Sequence, residues 1–530
     1  MSHRADLALL LSGLLVAAVP ACLRLGIDAT DDSTRQATGD GSRGDGGSPS
    51  NDAEGIVDER DGSVSSDSSG PQADASVGTR DATAPELDAS GVGDDAGLED
   101  GDARVGTDAD AGVYADAGTK ASIGWRDDVF AGTGVHSETG YLDGNAFRAL
   151  AVDDEDRIYV AGSLQVDASD WGDMIVQRLH ADGSLDTSFN LTGTVVFDFT
   201  PFELFVGIDL VPPDRLRLGG ARTTLEDPLV LGLLDTGSLD TAFGQQGIGL
   251  KPLVGENYPR AMATDPVDGS YYIIGDDYGD TLYVAKFTAE GLPDTTFGGD
   301  GHIQLPPATY GNAMDGAVDP LHRLVVVGNI RAAGLNDDSA AAIWQIQSDG
   351  SLDTSFGTGG VLILDDVVAT AVGEGANGVV IGSDGSRYVT GFVEDAGGAS
   401  DLVVWKIDDQ GRHVAAFGTQ GTVRGTSTLG LHEASRGRRL VFDVDQHLVV
   451  AGGVYRELDW DVLLIRLDAS SGQLDSTFGV EGLVVAADLL GYPGDDVAID
   501  LAISKGGSVL VCGSAPGYDG YLDAVLFRVN

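Results

Sequence analysis

Residues 119–530 are a succession of short apolar runs separated by turns that contain Gly, Asp or Pro. Four runs recur in a fixed order. The third ends in a small residue followed by Gly, as in RIYVAG at 157–162, and the fourth often begins with Asp, as in DLVVWKI from Asp401. No helical periodicity of apolar residues occurs in this region, so the pattern predicts short antiparallel β-strands.

The four runs form a unit that recurs along the chain. Its clearest marker is DGSLDTSFGTGG at 349–360, and copies of the Phe-Gly core follow one another at intervals of 54 to 61 residues. The aromatic residues of these copies are Phe130, Phe189, Phe243, Phe297, Phe356, Phe417 and Phe478. Such a period predicts an all-β fold, a seven-bladed β-propeller of four-stranded antiparallel blades over residues 119–530. A β-solenoid is the alternative, but its rungs are usually much shorter.

The two ends of the repeat region predict how the ring closes. The sequence ends on a fourth-run strand, 523–529, without a following first run, whereas an isolated copy of the motif precedes the first complete unit around 128–136. We expect the N-terminal copy to pair with the C-terminal strand, because this removes the open sheet edges.

The motif residues have a structural interpretation. Asp-Gly supports a hairpin turn, and the Leu and Phe side chains are expected to plug the space between sheets. We expect the motif carboxylates to accept hydrogen bonds from nearby backbone amides: these are Asp186, Asp240, Asp294, Asp353 and Asp475. Ion pairs with the basic residue near the end of the fourth run, such as Arg178, are expected to be secondary. Calcium binding by these turns is the alternative to having no metal or cofactor, although no twelve-residue calcium loop is present.

The motif also resembles a known family. DGSLDTSFGxxG with VVAG upstream is similar to the delta-60 repeat of bacterial secreted and surface propellers, and the resemblance covers Gly124 to Asn530. The best copies lie at 182–193, 349–360 and 472–482, whereas the copy at 411–421 has lost its Asp. The resemblance implies a propeller in the bacterial envelope and implies no particular activity.

The N-terminus predicts export. Arg4 precedes the apolar stretch from Leu7 to Val19, which is too short to span a membrane as a helix and indicates a signal peptide over 1–21. The small residues before Cys22 resemble a bacterial lipobox, which predicts lipid attachment at Cys22 and anchoring in the outer membrane or at the cell surface. An ordinary secretory signal, with Cys22 incidental, is the alternative.

Residues 22–118 are predicted to be a disordered acidic tether. From Asp28 to Gly118 there are 23 acidic residues against five Arg, and the only aromatic residue is Tyr114. Such a chain has too little apolar surface to offset the entropy of ordering. The whole protein has a net charge of −53, of which about −36 falls on the repeat region, so nucleic-acid binding is not expected.

No catalytic constellation is apparent from the sequence. The His residues fall at different positions of the repeat, and Cys512 occupies a strand position filled elsewhere by core residues, which predicts an inert buried thiol. An enzyme is expected to break the repeat with inward clusters of His, Arg, Glu or Tyr, and none is evident. We therefore expect a monomeric binding or scaffold module for an extracellular glycan, peptide or protein. A propeller enzyme of the polysaccharide lyase, glycosidase or dehydrogenase type is the alternative.

The expected binding face carries the loops before the second run and after the third, which differ most between units. Variable loops on a rigid scaffold are common binding sites, and exposed aromatic rings suit sugars and peptides. The candidate ligand-binding residues are Tyr141, Trp171, Tyr258, Tyr278, Tyr310, Tyr455, Trp460, Tyr492 and Tyr518. Alternatively, these rings only fill gaps between neighbouring loops.

Overall fold

The computed structural model is a seven-bladed β-propeller. It describes residues 24–26, 127–139, 145–165, 173–198, 203–212, 215–222, 227–254, 257–277, 281–306, 311–331, 339–364 and 371–530. Each blade is an antiparallel sheet of four strands, and the innermost strands of neighbouring blades contact one another around the ring until the last meets the first. The predicted fold class and the number of blades are confirmed.

The strands run from the axis outward in each blade. Blade 1 contains β3 (Ala146–Val152), β4 (Ile158–Leu164), β5 (Asp173–Leu179) and β6 (Thr194–Asp198). Blade 2 contains β7 (Glu203–Val211), β8 (Arg215–Arg222), β9 (Asp227–Leu234) and β10 (Ile248–Leu250). Blade 3 contains β11 (Tyr258–Thr264), β12 (Tyr271–Asp276), β13 (Leu282–Phe287) and β14 (His302–Leu305). Blade 4 contains β15 (Gly311–Val318), β16 (Leu324–Ile330), β17 (Ala340–Ile346) and β18 (Val361–Leu364).

The remaining blades follow the same order. Blade 5 contains β19 (Ala371–Ile381), β20 (Arg387–Asp395), β21 (Ser400–Ile407) and β22 (Thr422–Arg424). Blade 6 contains β23 (Ser435–Phe442), β24 (His447–Arg456), β25 (Asp459–Asp468) and β26 (Leu483–Ala486). Blade 7 contains β27 (Val497–Ile503), β28 (Val509–Pro516), β29 (Leu522–Val529) and, as its outer strand, β2 (Val135–Glu138). The helical elements among the described residues are a 3₁₀ turn, Phe130–Gly132, and a π turn, Gly425–Leu429.

Blade 7 closes the ring by joining both ends of the repeat region, as predicted. Strand β2 pairs antiparallel with β29, with Val135 opposite Phe527. The carboxylate of Asp127 lies 2.6 Å from the guanidinium of Arg528 and strengthens the junction. Strand β2 therefore covers the edge of β29 and completes the four-stranded sheet of blade 7.

The leader and the tether fall largely outside the described residues. Residues 1–21, Cys22 and most of 22–118 are not described. Within that segment Arg24–Gly26 form a short strand, β1, which pairs parallel with β6 at the outer edge of blade 1. Among the described residues no helix has the length and hydropathy needed to cross a membrane.

The repeated motif connects neighbouring blades. The seven motif Phe side chains are buried. The residue after each of the first six donates its backbone N–H to the carbonyl that precedes the motif Gly of the next blade, over 2.7 to 3.0 Å. The six donors are Ala131, Asn190, Gly244, Gly298, Gly357 and Gly418. Only Gly fits after the acceptor: Gly291 has a φ of +82°, and a Cβ there would lie 2.4 Å from the ring of Phe243. The motif is therefore a latch between blades.

The antiparallel order gives the propeller two different faces. The motif face carries the hairpins between first and second strands and the motif turns between third and outer strands. The loop face carries the connections between second and third strands and those between blades. The connections on the loop face are the loops before the second run and after the third run of the sequence, because the second run forms the innermost strand. This division of loops agrees with the sequence prediction.

Candidate functional site: an arginine-lined axial cavity

A β-bulge interrupts the innermost strand of every blade at the same level. At each position the pairing with the second strand skips one residue. The skipped residues are Arg148, Val206, Arg260, Met314, Asn377, Arg438 and Ile499. Bulges re-aim side chains, and here all seven line one cavity of about 450 Å³ on the axis. Its walls lie near the starts of the innermost strands and the ends of the second strands, which is the loop-face end of the ring.

The cavity concentrates positive charge in an acidic protein. Arg436 and Arg439 join the three bulge arginines, so five guanidinium groups line this space although the chain as a whole has a net charge of −53. Three of them have carboxylate partners: Arg260 lies 2.8 Å from Asp276, Arg436 lies 3.4 Å from Glu394, and Arg439 lies 3.5 Å from Asp315.

Arg148 and Arg438 differ from the other three. Among the described residues neither forms an ion pair, and the Nε of Arg148 is buried without a hydrogen-bond partner. The pKa of Arg438 is lowered, first by desolvation between the cavity walls and then by the charges of Arg439, Arg436 and Arg148. Solvent still reaches its side chain, so the group is crowded by protein without being sealed from water.

Two of the seven bulge residues are followed in the sequence by a carboxylate. Asp315 and Asp500 each follow a bulge residue and accept the backbone N–H of the next blade, at Val379 over 3.0 Å and at Leu150 over 2.9 Å. Burial raises the pKa of Asp315, and it raises the pKa of Asp500 to about 6 although Arg439 opposes the shift. These carboxylates are thus structural acceptors that join innermost strands and partly balance Arg439.

The cavity walls combine amides with aromatic faces. Asn312 and Asn329 line the cavity together with Asn377, and the Arg260 guanidinium lies 4.5 Å from the ring centre of Tyr258. The Arg436 guanidinium contacts two rings, 4.7 Å from the centre of Phe392 and 5.6 Å from that of Trp460. These rings orient the guanidinium groups by cation–π contact. Among the described lining residues none is His, Cys, Asp or Glu.

The aromatic residues proposed from the sequence are only partly brought together. Tyr258 lines the cavity, and Trp460 reaches it through Arg436 while packing on Tyr455 with ring centres 5.7 Å apart. Tyr492 and Tyr518 are exposed elsewhere on the loop face. The remaining candidates, Tyr141, Trp171, Tyr278 and Tyr310, lie outside the described residues, as does Cys22.

The sequence interpretation missed the arginine cluster. The statement that no inward Arg cluster breaks the repeat is wrong, because Arg148, Arg260 and Arg438 occupy one structural level in three blades. Their sequence contexts, AFRALAV, YPRAMAT and SRGRRLVF, place a basic residue within an otherwise small or apolar run. That basic residue was the available signal. A bulge adds one residue to the strand, however, so the usual alternation of side chains between the two faces of a sheet no longer predicts where each residue points.

The motif carboxylates cap turns as predicted. In four turns one Asp oxygen accepts both the backbone N–H and the hydroxyl of the residue two positions later; the pairs are Asp186–Ser188, Asp294–Thr296, Asp353–Ser355 and Asp475–Thr477. Basic residues at the end of the third strand also contact three of these carboxylates, over 2.8 Å from Arg178, 3.2 Å from Lys286 and 3.0 Å from Arg466. Ion pairing is therefore more regular than the sequence suggested.

Cys512 and one cluster of carboxylate and imidazole side chains lie away from the cavity opening. Cys512 is fully buried, as predicted, and burial raises the pKa of its thiol well above the usual range. On the motif face Asp265, Asp268 and His322 come close enough to share an ion, with His322 Nδ1 2.7 Å from an oxygen of Asp265. The sequence did not group them because they belong to hairpins of different blades. Their contact already links two blades through the hydrogen bond between His322 and Asp265.

The fold and the site define a β-propeller with a cationic cavity on its axis. A family described as a beta-propeller domain of unknown function, DUF5122, matches residues 156–189 and 323–356, which supports a propeller family. Both matched segments span a second strand through the following motif Phe. Among curated proteins, none matches the sequence.

Several solved structures resemble the propeller at low sequence identity. A virginiamycin B lyase from Staphylococcus aureus aligns with a TM-score of 0.42 and 10% identity, over 74% of this chain and 98% of the lyase. Polysaccharide lyase Uly1 aligns with a TM-score of 0.43 and 9% identity, over 74% and 91%. Drosophila Semaphorin 1a aligns with a TM-score of 0.41 and 9% identity, over 74% and 88%. Likeness at this level carries no functional assignment.

Proposed function

We propose that this protein is a cell-surface-anchored lipoprotein whose propeller is a binding or scaffold module for an extracellular ligand. The short apolar stretch before Cys22 supports export and lipid attachment. The acidic composition of residues 22–118 supports a tether that holds the propeller away from the bacterial membrane. The observation that carries the binding role is the axial cavity. Its volume of about 450 Å³ lies within the usual range for ligand sites, and five arginines converge on it.

A propeller enzyme is the second candidate, and the pair Tyr258 and Arg260 favours it. The phenolate form of a tyrosine can accept a proton from a substrate, and a neighbouring guanidinium can stabilise the negative charge that develops. Against it, the described cavity walls provide no carboxylate or imidazole as a partner acid. Binding without turnover therefore accounts better for this set of side chains.

The binding role is tested with the purified full-length chain on immobilised glycans, peptides and proteins, with retention and turnover measured together. We expect retention of at least one ligand with no chemical change. Turnover that is lost in Tyr258→Phe would establish the enzyme instead, and absence of retention on every class would refute the proposed function.

The anchor is tested separately. Cys22→Ser is expected to move the protein from the detergent phase to the aqueous phase in a partitioning experiment, because the variant cannot be lipidated. Cys512→Ser serves as the matched control and is expected to partition like the wild type. Unchanged partitioning of Cys22→Ser would rule out a lipid at this position.

A further inference from the structure

We infer that the axial cavity binds an acidic saccharide, and that Arg148 and Arg438 hold its carboxylate or sulfate group; the inference rests on the proposed binding function. These two arginines come from blades 1 and 6, which flank blade 7, and the apolar bulge residue Ile499 lies between them in the ring. An anion placed there faces two guanidinium groups that lack a carboxylate partner among the described residues.

The charge balance points to an external anion. Grouping like charges in a space partly shielded from water is unfavourable unless counter-charges are present. Asp276, Glu394 and Asp315 provide such charges for Arg260, Arg436 and Arg439. Desolvation and its neighbouring arginines lower the pKa of Arg438, which means that keeping this side chain in its charged form costs free energy. A ligand anion would remove that cost, and guanidinium groups match carboxylate and sulfate oxygens with paired N–H donors.

The other cavity residues favour a saccharide over other anions. The side-chain amides of Asn312, Asn329 and Asn377 already hydrogen-bond to Arg260, to each other or to Gly437, and their remaining donor and acceptor positions can serve hydroxyl groups, which require both. Tyr258 and Phe392 add aromatic surface beside the guanidinium groups that they orient, and such surface suits the apolar side of a sugar ring. A small inorganic anion would not reach these amides and rings, and an apolar ligand would supply no counter-charge to Arg148 and Arg438.

The overall charge of the protein adds a prediction about ligand length. A polyanion approaching a chain with a net charge of −53 is repelled over the Debye length, roughly 30 Å at 0.01 M salt and about 8 Å at physiological ionic strength. A short acidic oligosaccharide exposes less charge to this field. We therefore expect a trisaccharide to bind well at low salt and a long polyanion to bind better as salt is raised to the physiological level.

Calorimetry on the full-length chain tests the inference with five probes: trigalacturonate, a heparin tetrasaccharide, neutral maltotriose, a tetraglutamate peptide and inorganic phosphate. We expect binding of one or both acidic saccharides, with the carboxylated and sulfated probes distinguishing the two anions, and no measurable binding of maltotriose. The peptide and phosphate are expected to bind at least tenfold more weakly than the better saccharide.

The residues are tested by Arg148→Gln combined with Arg438→Gln. Loss of two charge-assisted contacts is expected to weaken saccharide binding about a hundredfold. Arg148→Lys combined with Arg438→Lys keeps the charge, removes the paired donors and is expected to weaken binding about tenfold, so it reports on the site even if the Gln variant does not fold. The matched control, Arg412→Gln, removes a charge from the motif face and is expected to leave binding unchanged.

The outcomes separate this inference from the proposed function. If only a neutral glycan, the peptide or another protein is retained, binding stands and the acidic-saccharide inference fails. If an acidic saccharide binds with equal affinity to the wild type and both cavity variants, the assignment to this cavity is wrong. If no ligand of any class is retained, both proposals fail.

Discussion

Carboxylates on the two faces of the propeller have pKa values that are shifted in opposite directions. On the motif face hydrogen bonds from turns hold the pKa of Asp468 down to about 2, chiefly through the hydroxyls of Ser470 and Ser471. On the loop face burial raises the pKa of Asp496 to about 8 and that of Asp523 to about 6. The first group is stabilised in its charged form, whereas the second is forced towards the neutral form.

This difference shows that one fold contains two kinds of sequence constraint. Most motif turns are capped by their own Asp and form a hydrogen bond to the next blade, so the turns resemble one another and their charges contribute to stability. The loop-face connections have no shared task, so their residues differ from blade to blade and include poorly solvated charges. Unfavourable charges are common at functional sites, which is why we place ligand binding on the loop face.

The largest effect on stability is expected when the ring is opened by removing its closing strand. Deleting residues 119–137 removes the buried Phe130 and most of β2, and should reduce the free energy of unfolding by more than about 4 kcal/mol, as loss of a buried aromatic residue alone costs about 3–5 kcal/mol. Deleting 28–110 should leave the melting temperature unchanged. Thermal unfolding measures both, and equal effects would refute closure by the N-terminal strand.

The next test removes one plug from the motif face. Phe356 is fully buried, and Phe356→Ala should cost about 3–5 kcal/mol in denaturant unfolding without changing the affinity for a loop-face ligand. Leu191→Ala is the control, because Leu191 is 85% exposed on a motif turn and should contribute less than about 0.5 kcal/mol. A large loss of affinity in folded Phe356→Ala would show that the two faces are not independent.

The opposite pKa shifts of Asp496 and Asp468 predict how the free energy of unfolding depends on pH. Asp496 binds its proton more tightly in the folded than in the unfolded chain, so the free energy of unfolding should rise as pH falls from above 8 towards 4. Asp468 has the opposite shift, and its contribution should be lost as pH falls below 4 towards 2. Maximum stability is therefore expected at mildly acidic pH.

Substitutions at these two positions test the signs. Asp496→Asn should stabilise the protein at pH 9 by on the order of 2 kcal/mol and flatten the profile between pH 9 and 5. Asp468→Asn should destabilise it at neutral pH. Urea unfolding with a chelator present prevents a bound divalent cation from masking either effect. A wild-type stability that increases steadily from pH 5 to 9 would contradict the assignment.

The smallest effect on stability is expected from loop-face aromatics. Replacing Trp171, Tyr455 and Trp460 together by Ala should change the free energy of unfolding by no more than about 1–2 kcal/mol, because Tyr455 is exposed and Trp460 only partly buried. Retention on the ligand should be lost, because Trp460 helps to hold Arg436 at the cavity. Intact retention by the folded variant would move the site away from these rings.

The sequence predicted more of the fold than of the site. The period, the apolar runs and the isolated motif copy near Phe130 were enough for seven blades and for their closure, because strand pairing and turn chemistry are local and repeat with the sequence. The choice of aromatic residues as the candidate site was only partly useful. Tyr258 lines the cavity, but the arginines beside it were overlooked since residues from distant repeats meet only at the axis.

By itself, therefore, the sequence determined the repeating unit, the motif turns with their Phe plugs and the two-faced arrangement of loops, all of which follow from short-range patterns of apolar residues and Asp-Gly turns. Only the tertiary structure decided that Arg148 and Arg438 share one cavity without carboxylate partners among the described residues. The reason is geometric: ring closure brings blades 6, 7 and 1 together, and a bulge in each innermost strand turns one side chain towards the axis.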